Sequence, residues 1–325
     1  MRIIVRRLFF VLVTSGTMLV FAAHADVGTP ELGLLLQSVF DHQDDRSTGN
    51  NGFDIATARI NLKGDLHDDW NYYMQVDLSR SDVLLDARAQ WQREKWSITF
   101  GQFKAPFSAE ALTSAASTDF INRSQVASKL APSRQVGVSS SGQFQNVGWH
   151  FGVFNGNGIN NSNDNDRVMA VGRLESALGG GAETTRTRKI GASVAYSDDE
   201  GLNFFDNSLT GFVGSRQLAQ IDFRQQGDNW LFSVEAGWGK FNASGGETIY
   251  PHGYHLTTGY MLNPKTQLLL RKDRFDNEID AQTTQWLAGI NWWLTDLLEW
   301  QNNLVYPQGG ASDELQLLSN FQVAF

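Results

Sequence analysis

The sequence predicts an all-β fold, a transmembrane antiparallel β-barrel of most simply sixteen strands. Three observations predict it. Segments about ten residues long recur in which every second residue is apolar or aromatic, the period of a strand with two unlike faces. The connectors between them alternate short and long, as outer-membrane barrels do. Past the amino terminus no segment offers an uninterrupted apolar span of the length a membrane helix needs.

At the start of the chain, Arg2, Arg6 and Arg7 precede the apolar run from Leu8 to Ala22, and the small-residue site Ala23-His24-Ala25 follows. This is the pattern of a secretory signal peptide over 1–25, cleaved before Asp26, with 26–325 left as one barrel. An anchor helix fits less well, because the run is short and carries Thr14, Ser15, Gly16 and Thr17. The first five strands are expected at 31–40, 53–64, 70–79, 83–92 and 95–103. In "WNYYMQVDLS", Tyr72, Met74, Val76 and Leu78 share one face, and Tyr73, Gln75, Asp77 and Ser79 the other. After an interruption over 104–133, strands are expected at 134–143, 147–155, 166–176, 187–196, 216–225 and 229–239. In "WLFSVEAGW" the apolar face is Trp230, Phe232, Val234, Ala236 and Trp238, opposite Ser233 and Glu235. The last five are expected at 252–262, 265–275, 283–294, 297–306 and 314–325. Short turns such as "DLHDD", "QGD", "NP" and "TD" mark one end of the barrel. Tryptophans 70, 91, 96, 149, 230, 238, 286, 292 and 300 fall near strand ends, where interfacial girdles sit. The final strand, "ELQLLSNFQVAF", is amphipathic and stops on Phe325, which resembles the signal read by the outer-membrane barrel assembly machinery.

Composition agrees with a wall that is polar inside and apolar outside: Gly 31, Phe 21 and Trp 10 against Pro 6. Cys is absent, so no disulfides are expected. Removing Arg2, Arg6 and Arg7 leaves 26 − 3 = 23 basic against 35 acidic residues, a net charge of −12. Such a chain is not built to neutralise phosphates along a nucleic acid. Catalysis by acyl transfer needs a nucleophile and a base within reach, and the Gly-x-Ser-x-Gly pattern is absent. His150 and His255 are expected to face the lumen. His252 and His255, three apart on one strand, point to opposite faces and cannot share a metal. No catalytic residue, cofactor or metal site is expected.

The interruption reads "GQFKAPFSAEALTSAASTDFINRS" from Gly101 to Ser124, then "APSRQVGV" from Ala131. A Gly-x-Phe-Lys-x-Pro-Phe segment leads to Glu-x-Leu-Thr-Ser, then to an aromatic and Arg-Ser, then to Pro-x-Arg and Gly. This resembles the phosphate-selective porin O and P family. The flanks "ARINLKGDLHDDWNYYMQVDLS", "LDARAQWQ" and "LAGINWWLTD" are similar to that family too, most densely over 53–143. The resemblance implies a trimeric, sixteen-stranded, water-filled channel in the outer membrane of a Gram-negative bacterium, in contact with lipid and lipopolysaccharide. With the termini in the periplasm the interruption is the third external loop. In general porins that loop folds inward and narrows the pore, and here only Phe103, Phe107 and Phe120 give it bulk.

The expected function is passive diffusion of small solutes and ions, with a weak preference for anions such as phosphate. An adhesin or receptor acting through acidic external loops, or an outer-membrane hydrolase, is the alternative. Acids such as Asp41, Asp198, Asp199, Glu200, Asp206 and Asp313 are expected in or beside external loops. The presumed constriction, 104–133, sets Lys104, Arg123 and Lys129 against Glu110 and Asp119, and Glu110 is expected to pair with one of those bases. Arg59, Lys63, Arg88 and Arg134, with Arg167, Arg173, Arg224 and Arg271, are expected on lumen-facing positions. Fixed positive charges there offset part of an anion's dehydration. Asp77, Asp86, Asp222, Glu235, Asp273 and Glu299 share that face and are able to pair the bases into cross-strand bridges.

Overall fold

The computed structural model describes residues 10–14, 17–21, 29–46, 49–178, 186–280, 282–309 and 314–325. Phe10–Thr14 and Thr17–Phe21 pair with each other in a two-stranded ribbon that shares no ladder with the rest. The expected processing site at 23–25 lies outside the described residues, as does Asp313.

Sixteen antiparallel strands close into one barrel. Strands β1 to β5 are Glu31–Gln43, Gly52–His67, Trp70–Asp77, Leu84–Arg93 and Trp96–Lys104. Strands β6 to β11 are Arg134–Phe144, Val147–Phe154, Met169–Ala177, Thr187–Phe204, Leu209–Gly227 and Trp230–Ala243. Strands β12 to β16 are His252–Asn263, Thr266–Asp276, Thr283–Trp293, Leu298–Gln308 and Gln316–Ala324. A two-residue strand, Thr248–Ile249, adds to the end of β11. Each strand pairs with its sequence neighbours, and β16 pairs with β1 from Gln316↔Gln43 to Ala324↔Leu35. At that seam the Leu34 amide donates to the Phe325 carbonyl at 2.9 Å and the Phe325 amide to the Leu34 carbonyl at 3.1 Å.

Period-2 alternation explains which side chains meet lipid. On β11, Trp230, Phe232 and Trp238 are exposed while Leu231, Glu235 and Gly237 are buried. On β13, Leu268 and Leu270 are exposed while Gln267, Leu269, Arg271, Asp273 and Phe275 are buried. Charged and amide side chains therefore line the inside and apolar ones cover the outside, the inverse of a soluble sandwich. The polar inner groups bond to one another. Arg173, nearly fully buried, holds Asp222 at 2.6 Å, and Arg216 holds Asp199 at 2.9 Å.

All sixteen expected strands are present. The largest difference is at β9 and β10, which run on to Phe204 and start at Leu209 where a loop over 197–215 was expected. Asp199 is thus no loop acid. It is buried and paired with Arg216 on the neighbouring strand, so the alternation continues past a run that reads as a turn. The hairpin tip then places Phe205 among Phe204, Phe241 and Phe275.

Candidate functional site

Gly101 begins the long segment, and its backbone explains the residue. It has φ +117°, and a Cβ there would lie 2.1 Å from the Ala87 carbonyl oxygen on the adjacent strand. Beyond Lys104 the segment forms a single helical turn, α1 (Ala109–Leu112), a 3-10 turn (Ala115–Ser117) and α2 (Gln125–Leu130). Ser108, Ser114 and Ser124 cap the three turns, which is why small hydroxyl residues recur along it. Phe107, Phe120, Val126 and Leu130 are buried. Phe120 sits in a ring of inner-face aliphatics: Val39, Leu231, Leu269, Leu287, Val305 and Leu318. Gly237 and Gly289 leave room for it, since a Cβ on either would come within about 3 Å of Val126 or Phe120.

The polar partners of the segment lie on the buried faces of strands far around the wall. Arg224 of β10 grips Asp119 with two bonds of 2.7 and 2.9 Å. Glu235 of β11 accepts the Ser108 hydroxyl and the Glu110 amide, both at 2.8 Å. Arg271 of β13 donates to Glu110 Oε1 at 2.7 Å, and Asp273 accepts the Gln125 amide at 2.8 Å. Asn291, Gln301, Asn303, Gln322 and Gln37 then continue the contacts through β14, β15, β16 and β1. Burial alone would raise the Glu110 carboxyl, but Arg271, His255 and two bonds from Ser124 outweigh it and bring its pKa down to about 2.

On the side of the segment facing β2 to β6, a cavity of about 220 Å³ is lined by Arg59, Arg80, Lys104, Arg123 and Arg134. Two carboxylates offset part of that charge, Asp77 on Arg59 and Asp86 on Arg134, each at 2.9 Å. Counted at formal charge, the balance is 5 − 2 = +3. Lys104 and Arg123 are held by carbonyl oxygens instead. Lys104 Nζ donates to Ala111, Leu112 and Thr113, and Arg123 to Glu110 and Thr113. Dipoles position these two cations without cancelling them. Burial, opposed by Glu110 and assisted by the like charges of Arg59 and Arg134, presses the Arg123 pKa below its usual value. The Arg80 side chain has no ion pair among the described residues and is exposed. Concentrated positive charge around a space of this size is what an anion requires to leave bulk water.

Of the expected site residues, the structure brings together Arg59, Lys104, Arg123 and Arg134. Lys63 lies four residues along β2 from Arg59, exposed and paired with Glu31 at 2.8 Å. Arg88 sits over the Tyr73 ring, 5.2 Å from its centre. Lys129 pairs with Asp206 of the β9–β10 tip at 3.4 Å and does not line the cavity. Glu110 carries a correction: its carboxylate pairs with Arg271, a wall residue, not with Lys104, Arg123 or Lys129. Arg80 was not anticipated, because it lies past the end of β3, where alternation no longer says which way a side chain points.

A closed sixteen-stranded barrel with an apolar exterior and a charged, hydrogen-bonded interior defines a porin of the outer membrane. The sequence model for phosphate-selective porin O and P matches residues 36–254, more than half of the chain, and the chain belongs to that family. Among solved structures it is similar to an anion-selective porin from Comamonas acidovorans, with a TM-score of 0.67 at 14% identity over 91% of this chain and 99% of that one. It is also similar to the trimer form of the outer membrane protein OmpT from Vibrio cholerae, with a TM-score of 0.64 at 12% identity over 92% and 100%. The outer membrane channel DcaP of Acinetobacter baumannii gives 0.61 at 12% identity over 91% and 97%. At such identities the likeness is one of fold. No curated protein sequence matches the chain.

Proposed function

We propose that this porin is an anion-preferring diffusion channel whose segment 104–133 folds inward as the constriction. It is a channel rather than an enzyme, taking small inorganic anions such as phosphate. The observation that carries this reading is the cavity beside the segment, where five cations face a 220 Å³ space with two carboxylates to balance them. The bonds from the segment to β10 through β1 support the inward position, because their partners are on the faces opposite the exposed apolar rows. Anion selectivity in the Comamonas acidovorans porin and the trimer form of the Vibrio cholerae protein agree with an anion-preferring homotrimer. In this reading residues 1–25 export the chain and are removed before Asp26. The assembly machinery then inserts the barrel among lipid and lipopolysaccharide, with Phe325 as part of its signal.

Reversal potential across a planar bilayer in a chloride gradient tests the selectivity, repeated with phosphate on one side. The expected potential has the sign of an anion-preferring pore, and phosphate lowers the chloride current. A potential of cation-preferring sign, with chloride current insensitive to phosphate, overturns the reading.

A further inference from the structure

On the opposite side of the segment from the basic cavity, four ionisable residues on adjacent strands face one another in a row. Asp222 pairs in register with Glu235, Glu235 with His255, and His255 with Asp273. All four are buried, His255 to 1% exposure and Glu235 and Asp273 to 2%. The charges are not balanced within the row. Arg173 satisfies Asp222, and Arg271 satisfies Glu110 where the segment descends onto the row. Glu235 and Asp273 have no cationic partner among the described residues, which leaves two buried carboxyl groups without a counter-charge.

Three acceptors converge at this point. One side-chain ligand atom each from Glu110, Glu235 and His255 lie within 4.8 Å of one another. His255 Nδ1 lies 3.2 Å from the Thr257 hydroxyl, and that hydroxyl also accepts from Arg271 Nε at 2.9 Å. Placing the ring proton on Nδ1 leaves the Nε2 lone pair free, and Nε2 is buried without any hydrogen-bond partner. It points toward Glu110 Oε2 at 3.7 Å, so one lone pair faces another with no donor between. Asp273 Oδ1 nearby is buried and unpartnered as well. Such a group is explained when a cation lies between the acceptors.

We propose that Glu110, Glu235 and His255 form a binding site for a divalent transition-metal ion of the zinc class. Two carboxylates and an imidazole suit such an ion better than calcium or magnesium, which prefer oxygen alone. A dipositive ion also supplies the counter-charge that these buried carboxyl groups lack. Zinc bonds of about 2.1 Å put tetrahedral ligands roughly 3.4 Å apart, so the three groups close inward slightly, with water in the fourth position. The ligands are already oriented by a second layer of contacts. Gln220 and Ser108 hold Glu235 Oε2, Thr257 fixes the His255 ring, and Arg271 holds Glu110 Oε1. At Glu110 Oε2 the ion replaces the Ser124 hydroxyl, which keeps its role as acceptor for the Ala127 amide. Because Glu110 belongs to the segment while Glu235 and His255 belong to the wall, the ion clamps one to the other.

The test uses the full protein in detergent, treated with EDTA, incubated with zinc, desalted and assayed for metal by mass spectrometry. The expected result is one zinc per chain, with at least tenfold weaker retention in His255→Gln and Glu235→Gln and unchanged retention in His42→Gln, which removes an exposed histidine beside Asp44. Heat-modifiable gel mobility reports whether each variant is folded. If the buried variants do not fold, X-ray absorption on the wild-type zinc complex decides, since the site requires one imidazole together with oxygen ligands. Absence of retained zinc in the wild type, retention unaffected by both substitutions, or a spectrum without imidazole overturns the proposal. None of these outcomes bears on anion selectivity, which the bilayer measurement tests separately.

Discussion

Arg80→Glu is the cleanest way to ask whether the basic cavity sets ion preference. Lys104 and Arg123 also hold the segment in place through carbonyl bonds, so changing them mixes electrostatics with structure. Arg80 lines the same cavity without an ion pair among the described residues, and its reversal lowers the formal local balance from +3 to 3 − 2 = +1. An ion at the centre of the cavity lies roughly 7 Å from a lining charge, where each unit contributes about 0.6 kcal/mol at the dielectric constant of water. Ionic screening at physiological salt cuts that to roughly 0.25 kcal/mol. Two units then amount to about 0.5 kcal/mol, a little over twofold in anion occupancy, with the opposite sign for a cation. The anion-to-cation permeability ratio should therefore fall about fivefold, read as a shift of reversal potential in a salt gradient. Single-channel conductance in symmetric high salt should change far less, because the segment's contacts are intact and screening is stronger. A reversal potential equal to that of the wild type would refute the reasoning and remove the cavity from the ion path.

Other consequences can be checked with the same preparations. Removing residues 111–117 takes out the 3-10 turn and the carbonyls that hold Lys104, so conductance should rise in bilayer recordings. Unchanged conductance would place the segment outside the narrowest part of the path. Deleting Phe325 removes both backbone bonds to Leu34 at the seam and should lower the yield of assembled protein in the outer membrane while export continues, which fractionation and immunoblotting will measure. Asp222→Asn leaves the nearly fully buried Arg173 with only the partly exposed Glu175 at 3.3 Å as a counter-charge and should destabilise the barrel by about 1.5–3 kcal/mol, seen as a lower midpoint of urea unfolding.

The barrel was legible because membrane and water impose opposite demands on alternate residues, and a strand writes that demand with period 2. The alternation that separates Trp230 from Leu231 also separates Leu270 from Arg271. It failed as a boundary marker at Asp198 to Gly201, where a cluster of acids looks like a loop but Asp199 finds Arg216 across the ladder. The site was legible in part. Face was readable for Arg59, Lys63 and Arg88, but height along the barrel axis was not. At about 3.3 Å per residue, Lys63 is roughly 13 Å along β2 from Arg59, and so it meets Glu31 instead of the cavity. The partner of Glu110 was beyond reach for a different reason. Arg271 lies 161 residues away, and only the path of the segment decides which strand it meets.

The contacts of the segment with β16 and β1 tie its position to the state of the seam. Gln37 of β1 donates to Gln322 of β16 at 2.8 Å, and the same two side chains reach the carbonyls of Ala115 and Ala116 at 3.4 and 3.1 Å. Both platforms are complete only when the first and last strands have met. Without that meeting the carbonyls of Ala115 and Ala116 lose their paired amide donors. The apex of the segment is therefore a gauge of closure: its bonds to Gln37 and Gln322 can coexist only where the seam is joined.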